Sequence, residues 1–134
     1  MNEVVVDASV AARWFESSRV RGAPEAQALL ADYELGALSV IVPPLLFFEL
    51  LNVAGRRWGW TEAALLGLTT RLDALRLDVV DPDLSRVAVW TARGLTAYDA
   101  AYVALAEERA VPLVTDDQQM LAIAGAIARP MKAR

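Results

Sequence analysis

Short runs of β-branched and other apolar residues alternate along the chain with longer segments of helical periodicity. The runs occupy residues 3–6, 39–42, 77–80 and 111–115, and each is followed by an acidic residue or a proline. Strands that alternate with helices are typical of an α/β fold with a largely parallel sheet and right-handed connections. The 134 residues contain no internal repeat, low-complexity stretch or linker. This organisation predicts a single domain spanning residues 1–134.

Seven segments between and after these runs have the apolar spacing of helices. They are predicted at residues 8–15, 24–35, 44–57, 61–75, 83–91, 96–109 and 117–124. A polar loop is predicted over residues 17–24, and a short last strand is expected after Gly125. In such folds ligands bind beyond the carboxyl ends of the strands, so residues that follow the strands are the first candidates for a site.

Four carboxylates stand against apolar segments at such positions: Asp7, Glu49, Asp99 and Asp117. Asp7, Asp99 and Asp117 lie at the ends or edges of hydrophobic runs, whereas Glu49 interrupts one. Removing a carboxylate from water without a partner is costly, so acids in these places usually hold a cation or a donor. The chain has no His and no Cys, which excludes imidazole catalysis, cysteine nucleophiles and thiolate zinc sites. Carboxylates remain as the main catalytic groups.

Three of the four acids also have structural interpretations. Asp7 can cap the helix that begins at residue 8, and Asp117 can complement the dipole of the helix it precedes. Thr96 and Asp99 have the spacing of a capping box, with Asp in place of Glu. Each of these acids, taken alone, fits a cap at least as well as a site.

Glu49 has no comparable explanation, because it lies in the middle of a predicted helix among apolar neighbours. The structural alternative is a buried glutamate paired with an arginine such as Arg56. If all four acids converge, they repel one another and need a cation. Oxygen ligands alone favour Mg²⁺ or Mn²⁺ over zinc, and a water on such an ion can attack a phosphodiester.

Charge and hydropathy limit the partners and the location. The net charge of −4 argues against coating nucleic acid through bulk charge, although it permits a local arginine patch. The longest apolar stretch, residues 40–48, contains two prolines and is too short to span a bilayer, so no membrane association is expected. Because no basic segment precedes the first strand, we expect no signal peptide and a cytoplasmic location.

The segments around the acids resemble the PIN-domain family, specifically the toxin ribonucleases of VapBC toxin–antitoxin pairs. The matching text is VVVDASVAARWF at residues 4–15, VPPLLFFELLNV at 42–53 and LTAYDAAYVALAEERAVPLVTDD at 95–117, followed by QQML. One of these motifs alone is weak, but together they cover nearly the whole chain in the family's order. The resemblance implies a three-layer α/β/α sandwich around a mostly parallel central sheet.

The resemblance also assigns roles to individual residues. It implies that the family's acidic quartet, the catalytic and metal-binding set, falls on Asp7, Glu49, Asp99 and Asp117. Supporting roles are implied for Ser9, Asn52 and Thr115, and Asp116 occupies a variable slot from which it can support the site or bind the metal. The implied activity is Mg²⁺- or Mn²⁺-dependent endoribonuclease cleavage by a toxin. The implied partners are RNA, a second copy of the chain and a cognate VapB-type antitoxin that inserts a segment near the active site.

Arginines near the acids are the candidates for RNA contacts: Arg13, Arg56, Arg57 and Arg93. The alternative is that each is simply solvated. Trp58 and Trp60, at the joint between two predicted helices, favour packing or a protein interface over base stacking. Three leucines of the next helix, at positions 65, 66 and 68, fit the same hydrophobic surface.

Other functional classes fit less well. A phospho-receiver domain needs a functional Lys after its last strand, and the sole Lys here is Lys132 in the tail. A phosphatase of the haloacid dehalogenase type needs a second Asp two residues after the first, where this chain has Ser9. A catalytically silent PIN scaffold that binds RNA or a protein remains the main alternative.

Overall fold

All strands of the central sheet run parallel. The computed structural model describes residues 2–16 and 23–131, and within these ranges the strands are β1 (Asn2–Val6), β2 (Leu38–Val42), β3 (Asp78–Val79), β4 (Leu113–Val114) and β5 (Ala128–Arg129). Their order across the sheet is β3-β2-β1-β4-β5. The expected last strand is therefore present, and all four predicted strands are confirmed. β3 and β4 are shorter than predicted, because only two residues of each join the sheet.

The strand register places the ends of β1 and β4 side by side. Val5 pairs with Leu113, and Val6 pairs with Val114. Pro112 has no N–H, yet its carbonyl accepts a hydrogen bond of 3.0 Å from the Val5 amide. The residues that follow these two strands are consequently neighbours in space, although more than a hundred residues separate them in sequence.

Seven α-helices connect the strands of the described chain. They are α1 (Ala8–Ala11), α2 (Ala23–Glu34), α3 (Leu45–Asn52), α4 (Glu62–Leu75), α5 (Leu84–Ala92), α6 (Ala97–Arg109) and α7 (Gln118–Ile123). A 3₁₀ turn, Ala12–Trp14, extends α1, and a π-helical turn, Val53–Arg57, extends α3. The long helix predicted over residues 44–57 thus changes its winding in the second half. Most of the polar loop predicted over residues 17–24 lies outside the described residues, as does Lys132. Within the described part, no helix has both the length and the hydropathy needed to cross a membrane.

The layers are those of an α/β/α sandwich, as predicted. α2 packs against β2, and α6 packs against β1. With right-handed crossovers, helices that lead from β1 to β3 cover one face, and those that lead from β3 to β5 cover the other. The direction of the connections reverses between β1 and β4, which creates a crevice at the carboxyl ends of these two strands.

The most deeply buried helix is α6, whose residues 100–106 are all buried. Four of these seven residues are alanines, which allow the helix to approach the sheet closely. Leu68 also belongs to the core, with 1% of its surface exposed, so its predicted place on a hydrophobic surface is wrong. Leu66, two residues earlier, is 60% exposed.

Candidate functional site

The four acids meet at the crevice. Asp7, Glu49, Asp99 and Asp117 line one pocket of about 610 Å³ at the carboxyl ends of the strands. Other residues that line it are Ser9, Arg13, Glu16, Val53, Arg57, Trp58 and Tyr102. Helices α1, α3 and α6 and the segments that follow β1 and β4 therefore contribute side chains to this pocket, which we call the acid pocket.

Asp7 lies at the end of β1 and is only 4% exposed. Its Oδ1 accepts hydrogen bonds from the Ser9 hydroxyl (2.6 Å) and the Val10 amide (3.3 Å), so it caps α1 as well. Its Oδ2 accepts a hydrogen bond of 2.5 Å from the Thr115 hydroxyl. Burial outweighs these hydrogen bonds and raises the pKa of Asp7 from 3.8 to about 6, with a smaller contribution from the charge of Asp117. Asp7 therefore both caps α1 and lines the acid pocket.

Asp117 is fixed at the end of the crevice by two contacts. Its amide donates to the Thr115 hydroxyl at 3.0 Å, and its Oδ1 accepts from the Met120 amide at 2.9 Å. Asp117 is therefore the cap of α7, as one interpretation predicted, and it also lines the acid pocket.

Asp99 lies in the first turn of α6, where Thr96 is the capping residue. The Thr96 hydroxyl accepts a hydrogen bond of 3.1 Å from the Asp99 amide. The Asp99 carboxylate lines the acid pocket. Burial raises the pKa of Asp99, and the charge of Asp117 raises it further, while the Thr96 hydroxyl lowers it. The acids at the crevice thus interact electrostatically.

Glu49 is half-buried on α3, and its partner is a tyrosine. The Tyr102 hydroxyl donates a hydrogen bond to Glu49 Oε1. Burial raises the pKa of Glu49, and the charge of Asp99 adds to this, while the bond from Tyr102 lowers it. Burial and then Glu49 raise the pKa of Tyr102, which keeps its hydroxyl protonated as a donor. The alternative pairing with Arg56 is not found among the ion pairs of the described residues. Arg56 is exposed and lines an adjacent groove that Glu49 also borders.

Sequence reasoning assigned no role to Tyr102. A signal existed, because a residue three positions after Asp99 lies on the same helix face and faces the same pocket. The contact with Glu49 spans 53 residues of sequence, and no local pattern reveals it.

The predicted supporting residues divide into two groups. Ser9 and Thr115 contact Asp7 directly. Asp116 donates its amide to Ser9 Oγ at 3.0 Å, but its carboxylate is exposed and pairs with Arg13 at 2.5 Å. Asn52 is exposed and lines the adjacent groove beside Glu49.

The four candidate arginines also differ in position. Arg13 and Arg57 line the acid pocket. Arg13 is held by Asp116 and has a buried Nη1 without a hydrogen-bond partner in the described structure. Arg56 lines the adjacent groove, and Arg93 stacks on Trp90 with 4.6 Å between the guanidinium and the ring centroid. The structure thus brings two of the four to the acid pocket.

Trp58 and Trp60 pack against each other, with ring centroids 5.2 Å apart. Trp58 lines the acid pocket, and Trp60 lines the adjacent groove. The predicted packing role of this pair is therefore compatible with a place beside the acids.

The donor set of the acid pocket fits a hard divalent cation in its chemistry, because the candidate ligands are carboxylate oxygens. The raised pKa values of Asp7, Glu49 and Asp99 indicate carboxylates that would gain from a neutralising charge. Across residues 2–16 and 23–131, however, no three acids lie close enough to form a ready-made metal cluster. A cation would have to draw these side chains closer together.

Comparison with known proteins gives a family match and a set of similar folds. The family model described as PIN domain matches residues 4–126. No curated protein matches the chain significantly.

Similar solved structures include PAE2754 from Pyrobaculum aerophilum, at 26% identity and a TM-score of 0.68, with 97% of this chain and 90% of that chain covered. VapC20 from Mycobacterium tuberculosis, described as a sarcin–ricin loop cleaving toxin, has 21% identity and a TM-score of 0.66 over 89% of this chain and 93% of its own. FitAcB from Neisseria gonorrhoeae has 15% identity and a TM-score of 0.63 over 97% of both chains.

Proposed function

The chain belongs to the PIN-domain family, and on that premise we propose that it is a divalent-metal-dependent endoribonuclease, the toxin of a type II toxin–antitoxin pair. The observation that carries the proposal is the acid pocket, where four carboxylates from separate parts of the sequence line one cavity. PIN domains are generally nucleases, and the similarity to VapC20 supports RNA as the substrate class.

Asp7, Glu49, Asp99 and Asp117 would hold Mg²⁺ or Mn²⁺ in this pocket. When bound, such an ion neutralises the carboxylates and supplies the Lewis acidity and activated water that phosphodiester hydrolysis requires. Ser9 and Thr115 hold Asp7 through hydrogen bonds to both of its oxygens, which fixes the deepest carboxylate of the pocket.

Arg57 and Arg13 are the proposed phosphate contacts. Both line the acid pocket, and Arg57 forms no ion pair within the described residues. Guanidinium groups beside the pocket can offset the negative field of the four acids for an approaching RNA backbone. Asp116, paired with Arg13, is proposed to orient this arginine and to have no direct contact with the metal.

The proposed partners follow from the same role. An antitoxin of the VapB type and a second copy of the chain would cover apolar surface. Phe48 (70% exposed), which lines the adjacent groove, and Leu66 (60%) on α4 offer such surface. RNA as substrate places the proposed activity in the cytoplasm, with residues 1–134 acting as one domain.

A catalytically silent scaffold is the second candidate, and the observation that favours it is the absence of a ready-made metal cluster in the described chain. The experiment that separates the two is incubation of antitoxin-free protein with a pool of structured RNA in Mg²⁺ or Mn²⁺. We expect cleavage that stops with EDTA and with Asp7→Asn, whereas Asp73→Asn, which alters an exposed acid on α4, should cleave normally. Binding of RNA without cleavage in either metal would favour the scaffold.

A further inference from the structure

The interaction between Glu49 and Tyr102 connects two helices that the chain brings together from distant positions. Glu49 lies on α3 and Tyr102 on α6, and both line the acid pocket. Within the described structure this is the one side-chain hydrogen bond that the Glu49 carboxylate makes, and it engages Oε1 alone. Oε2 remains available for a ligand.

A glutamate side chain in this position needs an external contact to hold one conformation. Glu49 has three rotatable side-chain torsions, is half-buried and lines the pocket. Ordering such a side chain costs conformational entropy, which a fixed hydrogen-bond donor can offset before any ligand arrives. An O–H donor to an ionised carboxylate forms one of the stronger hydrogen bonds in proteins.

The donor is rigid because of its place on α6. Tyr102 is 1% exposed and lies inside the fully buried stretch of this helix. Tyr98, one turn earlier on the same helix, is 65% exposed. The two tyrosines are therefore a matched pair, in which only one hydroxyl is fixed against an acid.

We propose that Tyr102 is a positioning residue whose hydroxyl holds Glu49 in the conformation that binds the divalent cation of the acid pocket. The inference rests on the proposed metal-dependent function. Groups that orient a metal ligand without touching the metal commonly change metal affinity when removed, by roughly 10- to 100-fold. Tyr102 would act through Glu49 alone.

The test is a Mn²⁺ titration of RNA-free protein, in which electron paramagnetic resonance measures the concentration of unbound ion. Tyr102→Phe keeps the ring that fills the core and removes only the hydroxyl, and we expect its Kd for Mn²⁺ to rise about 10-fold. Tyr98→Phe should leave the Kd unchanged. Thermal unfolding of each variant checks that the fold is intact.

A double-mutant cycle tests whether Tyr102 acts through Glu49. In a Glu49→Gln background, adding Tyr102→Phe should change the Kd less than about 2-fold, because the carboxylate to be positioned is already gone. An equal loss in both backgrounds, or wild-type affinity in Tyr102→Phe, would overturn the positioning role while wild-type protein still binds Mn²⁺ and cleaves RNA. Wild-type protein that binds no Mn²⁺ would overturn the proposed function as well.

Discussion

The hydroxyl of Thr115 donates a hydrogen bond of 2.5 Å to Oδ2 of Asp7, across 108 residues of sequence. The Thr115 hydroxyl oxygen also accepts a hydrogen bond of 3.0 Å from the Asp117 amide, so one side chain joins two acids of the pocket. The cause is the parallel register of β1 and β4, in which Val6 pairs with Val114. Residues 7 and 115 each follow one of these paired residues, and the site begins where the two strands end.

Thr115→Val should weaken both stability and activity. Valine has nearly the same shape, but it leaves Oδ2 of a buried carboxylate without its donor, which costs about 1–3 kcal/mol. Urea unfolding measures the stability, and RNA cleavage measures the effect on the site. Thr70→Val, which removes a hydroxyl from the exposed face of α4, is the control. Equal unfolding midpoints for the two variants would show that Asp7 does not depend on Thr115.

The metal-free protein should lose stability through Asp7 as the pH rises. The pKa of Asp7 is 3.8 in the unfolded chain and about 6 in the folded protein, so the folded state binds the proton more tightly. The contribution of Asp7 to the free energy of unfolding is complete below about pH 4 and decreases between about pH 4 and 6. Above that range about 3 kcal/mol has been lost.

Asp7→Asn isolates this contribution, because the neutral amide does not titrate. In EDTA the variant should be more stable than wild type at pH 7.5, while the difference shrinks towards pH 4. Its amide nitrogen can face Thr115, whose hydroxyl has Met120 Sδ at 3.8 Å as another acceptor. A stability difference that is the same at both pH values would contradict the raised pKa.

The neighbours Asp116 and Asp117 should differ sharply in their effect on cleavage. Asp117 lines the acid pocket, whereas the Asp116 carboxylate is exposed and bound to Arg13. We expect Asp117→Asn to lower kcat/KM at least 100-fold, because a metal ligand is lost. Asp116→Asn should lower it less than 10-fold, because only a contact that orients Arg13 is lost. The reverse order would assign the metal to Asp116.

Much of this arrangement is predictable from local sequence. The β-branched run before Asp7 predicts β1, and Thr96 predicts the start of α6. Two side-chain pairs are not predictable from local sequence: Tyr102 with Glu49, and Asp116 with Arg13. These contacts depend on how α3, α6 and the end of β4 meet in space. The π-helical turn Val53–Arg57 also has no signal in the apolar pattern. Within this turn Arg57 lines the acid pocket and Arg56 lines the adjacent groove.

Arg57 and Arg93 form a matched pair for testing RNA contacts. Arg57 lines the acid pocket, and Arg93 stacks on Trp90 outside it. In an Asp7→Asn background that prevents cleavage, Arg57→Ala should weaken RNA binding for all sequences. The slope of log K against log salt concentration should decrease by about one, as expected for the loss of one phosphate contact. Arg93→Ala should change neither quantity. Fluorescence anisotropy at several salt concentrations measures both, and equal effects of the two variants would exclude a specific role for Arg57.

Four carboxylates of the acid pocket are proposed to form one divalent metal site. Crystals grown with Mn²⁺ and measured above the manganese absorption edge test it directly, because anomalous differences locate the ion without any assumption about activity. We expect a peak in the acid pocket, where the ion is bound by Asp7 and by the carboxylates of Glu49, Asp99 and Asp117 drawn in towards it. A map with no peak in the pocket, or with manganese bound only elsewhere on the protein, would contradict it.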